Sequence, residues 1–228
     1  MRGVLPALAA VLALSGCVST VDGRAVRAAG VVPADVPPLT EAQLDRVLLS
    51  IGELNGIVGA TQMIVTSELD EMTDHSADMS DPTCLGAIYG AEDPVYADSG
   101  WTAVRDQVAR EPQDDNDHWV EQTAVLYPSA EKAQGFLDSS RDTWEKCQDG
   151  DVTVDDGSST FVWEMAPVSF DGGLLTQMSE QRDADGWACQ HALSAVSNVT
   201  VEAWACGYAI TDEAATIATE MVANAAKR

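Results

Sequence analysis

Basic residues are scarce in this chain. Twelve Lys and Arg stand against 37 Asp and Glu in 228 residues, a formal charge of −25. Such a surface repels polyanions, which excludes nucleic acid and anionic lipid faces as expected partners. It serves solubility and stand-off from an anionic envelope, and it leaves room for a cationic or protein partner. Histidine is rarer still: His75, His118 and His191 are the three present, and no two lie at i, i+2 or i, i+4. No Cys-x₂₋₄-Cys pair occurs either, so no metal site is expected. The acidic run Glu111–Asp117 lacks the glycine and the distant glutamate of a calcium loop. Gly-x-Gly-x-x-Gly, P-loop and Gly-x-Ser-x-Gly motifs are missing, so no cofactor and no activated serine are expected. His-Arg-Asp and Asp-Phe-Gly, the marks of a kinase catalytic core, do not occur. After residue 14 no apolar run approaches the roughly 20 residues that span a bilayer.

The start of the chain is informative. A short basic opening, Met1-Arg2-Gly3, precedes an apolar run from Val4 to Leu14. That pattern reads as a secretory signal, too short for a membrane span. Leu14-Ser15-Gly16-Cys17 resembles a bacterial lipobox. The resemblance implies a signal peptide over 1–16, cleavage before Cys17 and lipidation of its thiol. The expected location is the outer side of the cytoplasmic membrane, with membrane contact through the lipid alone. Residues 17–39 hold Pro33, Pro37 and Pro38 among small residues and read as a tether. A single domain is expected over 40–228.

Four cysteines remain: Cys84, Cys147, Cys189 and Cys206. An even count in an exported chain argues for two disulfides. Two β-type runs flank Ser197-Asn198, a pair suited to a tight hairpin turn. Pairing outward from that turn sets Cys189 opposite Cys206, within disulfide reach. Cys84 and Cys147 are left for each other. One hairpin face is then Ala192, Val196, Val199, Val201, Ala203 and Ala205, with Ser194 and Gln190 among them, mostly small groups that fit beneath a helix. The other carries the disulfide, His191, Leu193, Glu202 and Trp204.

Elsewhere, Thr40-Glu41-Ala42-Gln43 has the form of a capping box. It opens a helix through Leu44, Val47, Leu48, Ile51 and Leu54, ended by Gly56 and Gly59. Strands are expected near 62–68, 101–108, 118–127, 151–154, 160–165 and 174–182, and a loop over 92–100. Helices are expected from Pro82, from Ser129 to Cys147 and from residue 211 or 212. The fold class is α+β: one domain, a mainly antiparallel sheet packed with helices.

In this order the features resemble the PknH-like extracellular sensor domain. They are Cys84 with Tyr89, then Ser99-Gly100-Trp101, and Ala124-Val125 ahead of Ala130 and Ala133. Trp144 follows, three residues before Cys147, and last the hairpin Cys189…Val196-x-Asn198-Val199…Ala205-Cys206. The resemblance spans roughly residues 40 to 226. It implies an α+β fold with two disulfides and a cleft proposed to bind a ligand, and it implies no substrate.

Six tryptophans against three phenylalanines suggest an aromatic-lined cleft for a small molecule of the envelope. The candidate ligand-binding residues are Trp101, Arg105, Trp119, Glu121, Trp163, His191 and Trp204, taken to share one sheet face. A non-catalytic binding domain is the leading expectation. A hydrolase using Glu121 or Glu164 and an acidic scaffold for protein partners are the alternatives.

Overall fold

A computed structural model describes residues 32–33, 35–112 and 116–227. The expected signal peptide over 1–16 and the expected lipidation site Cys17 lie outside the described residues.

The fold grows from the hairpin of β8 (Ala188–Val196) and β9 (Val199–Gly207). Ser197 takes the positive φ, +52°, that a two-residue hairpin turn needs. The register pairs Val196 with Val199 and Cys189 with Cys206. The two cysteines are bonded with Cα atoms 4.0 Å apart, and Cys84 is bonded to Cys147 at 5.8 Å.

Six further strands extend this hairpin into one antiparallel sheet, and a short strand joins its side. They are β1 (Ile64–Leu69), β2 (Ala103–Arg110), β3 (His118–Leu126), β4 (Asp151–Asp155), β5 (Thr160–Met165), β6 (Ser169–Asp171) and β7 (Leu174–Gln181). The order is β1-β2-β3-β9-β8-β7-β5-β4, with β6 paired to β7. β6 was not foreseen; three exposed residues carry no alternation to read.

The hairpin's small-residue face is covered as expected. Helix α5 (Glu213–Ala225) lays Ala214, Ile217, Ala218 and Met221 on Ala192, Val199, Val201, Ala203 and Ala205. Burying Ile217 and Met221 completely stabilises the fold by about 1.5–3 kcal/mol each. Two N-terminal segments complete this layer, where one helix was expected. Glu41–Arg46 is a 3₁₀ turn, and helix α1 runs over Ile51–Val58. A second capping box, Ser50 with Glu53, starts α1 afresh. At the break, the Leu49 N–H donates to Gln122 Oε1 at 2.7 Å, and Gln122 Nε2 donates to the Leu49 carbonyl at 2.9 Å.

The end of the expected tether belongs to the domain. Val36 packs against this core, and Leu39 is buried in it. Asn198 holds Leu39 in place: its Oδ1 accepts from the Leu39 N–H at 2.7 Å, and its Nδ2 donates to the carbonyls of Leu39 and Tyr127.

Helix α4 (Ala130–Cys147) packs on the other sheet face through Ala133, Phe136, Leu137, Ser140 and Trp144. It covers Leu175, Leu193 and Ala195. The Cys84–Cys147 bond ties its last residue to the short helix α2 (Leu85–Ile88). The expected loop over 92–100 contains another short helix, α3 (Asp93–Tyr96), with a proline in its first turn. Its Tyr96 is buried against Phe136. Beyond α4, the sheet surface around Trp204 and the Cys189–Cys206 disulfide forms a separate aromatic cluster with Trp119, Trp163 and Trp187.

Candidate functional site

Side chains on this second face stand in rows across β2, β3, β9, β8 and β7. One row is Asp106, Thr123, Glu202, Leu193 and Leu175. The next is Val108, Glu121, Trp204, His191 and Gln177, and the one after it is Arg110, Trp119, Cys206, Cys189 and Ser179. Pleating alone therefore places three carboxyls, two tryptophans and the disulfide together.

Over these rows lies a cavity of about 520 Å³, a size suited to a small organic ligand. Trp119, Trp204 and the disulfide form its base; Trp163, Trp187 and Phe161 come from the neighbouring strands and turn. The segment with Tyr89, Gly90 and Glu92 lines another side. A larger groove, about 880 Å³, runs between α4 and residues 82–99. It gathers helix-surface groups such as Glu131, Lys132 and Lys146 and contains none of the buried carboxyls.

Electrostatics set the aromatic cavity apart. Glu121 and Asp106 are both buried, on neighbouring positions of the β2–β3 pair, and each acts on the titration of the other. Burial first, then the charge of Asp106, holds the Glu121 carboxyl well above the ordinary range. Burial also raises Asp106, opposed by the hydrogen bond it accepts from Thr123 Oγ1 at 2.6 Å. Two neighbouring carboxyls share a proton, because both cannot ionise cheaply side by side. Gly90 lies over Glu121: a Cβ there would sit 2.8 Å from Glu121 Oε1. A side chain at residue 90 would push into the carboxyl.

Neighbouring carboxylates are better satisfied. Glu202 accepts from the Tyr96 hydroxyl at 2.8 Å and pairs with His191 Nε2 at 2.7 Å. Burial lowers the His191 pKa, so its neutral ring donates this hydrogen bond. The ring is packed between Trp144 and Trp204, at 3.9 and 4.0 Å between centroids. Glu92 accepts from the His75 N–H at 2.7 Å and from Thr73 Oγ1 at 2.9 Å, and it meets His75 Nδ1 at 2.6 Å. The His75 ring stacks on Tyr89, whose hydroxyl is pushed up to about 12, first by burial. Two lining residues keep unpartnered polar atoms, the Trp204 indole nitrogen and Ser179 Oγ.

Of the residues singled out in the sequence, Trp119, Glu121, Trp163 and Trp204 line this cavity. His191 lies in the layer between Trp204 and Trp144, covered on both sides. Trp101 precedes β2 and packs half-buried against the core beneath α4, apart from the cavity. Arg105 is on the opposite sheet face, a correction to the expected shared face. The β2–β3 register pairs Arg105 with Ala124 and Val108 with Glu121, so odd residues of β2 face away from odd residues of β3. There Arg105 donates to Asp45 Oδ1 at 2.9 Å and meets Glu41 at 3.4 Å. Glu164 is exposed and paired with Arg182. Among the described residues no group of three or more His, Cys, Asp or Glu is placed to hold a metal ion.

Sequence reasoning missed Asp106, Tyr89, Gly90, Glu92, Ser179 and Trp187. Asp106 follows from parity once the register with β3 is known. The residues around Tyr89 and Glu92 reach the cavity through tertiary packing, which no local pattern announces.

Residues 39–224 match the family described as PknH-like extracellular domain. The chain is 38% identical over 185 residues to the serine/threonine-protein kinase PknH of Mycobacterium bovis and to that of Mycobacterium tuberculosis. The match covers 81% of this chain and 31% or 30% of those kinases, so the chain corresponds to under a third of their length. The crystal structure of the extracellular domain of PknH from M. tuberculosis superposes with a TM-score of 0.81 at 37% identity, covering 84% of this chain and 98% of that one. This chain belongs to the PknH-like extracellular domain family.

Proposed function

We propose that this protein is a lipid-anchored binding protein on the outer side of the cytoplasmic membrane. Its cavity takes up a small ligand of the cell envelope without altering it. The observation that carries this reading is the aromatic cavity itself. Four tryptophans offer contact area, and buried carboxyls at its base offer orientation, the combination typical of small-molecule sites. The extracellular setting of the relative's domain supports the location. The lipobox-like Leu14-Ser15-Gly16-Cys17 supports the anchor. The test of the anchor is detergent-phase partitioning: the wild type should enter the detergent phase and Cys17→Ser should stay in the aqueous phase. The test of binding is native mass spectrometry of protein extracted from its own membrane, which should show a bound small molecule.

The Asp106–Glu121 pair favours a second reading, since perturbed carboxyls in a cleft also mark acid–base catalysis. Turnover of an envelope substrate that is lost in Glu121→Gln would establish the hydrolase instead.

A further inference from the structure

Resting on that binding reading, we propose that the cavity recognises a primary ammonium group. The ammonium docks on Asp106 and Glu121, and its carbon skeleton lies among the tryptophans. Among the described lining residues none is Lys or Arg, and the lining histidine, His75, is held by Glu92 at 2.6 Å. Asp106 and Glu121 therefore have no cationic partner within the cavity. Thr123 serves Asp106, while the charged neighbours that act on Glu121 are themselves acidic, Asp106 and Glu202 first among them. Buried carboxyls without a counter-ion are costly, and they keep a proton between them in place of one. A primary ammonium supplies both the positive charge and several N–H donors at that point.

The walls suit the same group. Trp204 stands directly across from Glu121 in the β3–β9 register, and Trp119 and Trp163 also line the cavity. Indole faces attract cations, more strongly where water is excluded. The lining also carries the part-exposed side chains of Ser67 and Gln181, which can meet a hydroxyl beside the ammonium. That points to an amino sugar or an amino alcohol, which share the chemistry required. The charge of −25 draws cations toward the domain from solution. The other ionisable groups near the pair are Glu202 on β9, and Glu92, His75 and Tyr89 across the cavity.

Tryptophan fluorescence of the full chain tests this with two matched probe pairs. One is glucosamine against N-acetylglucosamine; the other is 6-amino-1-hexanol against 1,6-hexanediol. The amine of at least one pair should change the emission and bind at least about tenfold more tightly than its neutral partner, a difference of about 1.4 kcal/mol. Whichever pair responds separates a sugar source from an alcohol source. Glu121→Gln should weaken amine binding by about tenfold or more, whereas Arg105→Gln on the opposite face should leave it unchanged. The comparison within each pair needs no variant, so a misfolded Glu121→Gln protein does not spare the proposal. Neutral partners that bind as well as the amines overturn the ammonium assignment and leave the binding cavity standing. Silence from all four probes, with a response to envelope extract, has the same meaning. Silence from the extract as well removes both readings.

Discussion

Replacing Asn198 by alanine should destabilise the domain far more than a turn substitution ordinarily does. The side chain is buried and makes three hydrogen bonds, to the Leu39 N–H, the Leu39 carbonyl and the Tyr127 carbonyl. All three backbone groups are left without this partner in Asn198→Ala. An orphaned buried polar group costs about 1–3 kcal/mol. The three share one site and one local relaxation, so their costs do not add fully. A total of about 3 kcal/mol is expected, and for a domain of this size that lowers Tm by about 6–12 °C. The hairpin register should survive, because the paired strands and the Cys189–Cys206 bond still enforce it. What should loosen is the segment around Leu39. Urea unfolding gives the energy, and limited proteolysis should cut near residues 35–39 faster in the variant. A loss below about 1 kcal/mol, or unchanged cleavage there, would refute the clamp.

Cys84→Ser with Cys147→Ser should destabilise by about 4 kcal/mol through unfolded-chain entropy, against about 3 for the Cys189–Cys206 pair, read from urea midpoints. The separations of 63 and 17 residues set that order; the reverse order would contradict it. Glu121 carries a folded-state pKa above its unfolded value. Its favourable contribution is therefore complete at low pH and is lost as pH rises above the ordinary carboxylate range. Glu121→Gln should flatten this decline in stability, and parallel wild-type and variant profiles would count against the buried pair. Arg105→Ala removes surface ion pairs and should cost about 1 kcal/mol or less, with no change in ligand response.

The hairpin was legible because a two-residue turn fixes register, and register fixes which cysteines meet. Helix α4 was legible from the spacing of Ala133, Phe136, Leu137 and Trp144. The placement of Arg105 was not. Residues 111–117 between β2 and β3 leave the relative parity of the two strands free, and a one-residue slip exchanges faces. Trp119 and Glu121 share a face with Trp204 because aromatic and acidic side chains suit a wet face better than a dry core, and the β3–β9 register brings them together. Asp106, which lines the same cavity, was hidden by the same parity error that misplaced Arg105. The break after Arg46 escaped notice because Leu44 to Leu54 keeps a helical apolar spacing across it. The clamp that divides it, Gln122 on the Leu49 backbone, is 73 residues away in sequence.

The central claim is that the tryptophan-lined cavity holds a ligand. Its most direct measurement pairs native mass spectrometry of the membrane-extracted protein with fluorescence titration of whatever co-purifies. The account predicts a bound small molecule whose return to stripped protein quenches tryptophan emission, with a smaller quench in Trp204→Phe or Trp119→Phe and the same quench in Trp101→Phe. A bound molecule whose signal is untouched by Trp204→Phe and Trp119→Phe, yet abolished by Trp101→Phe, would place the site elsewhere and contradict it.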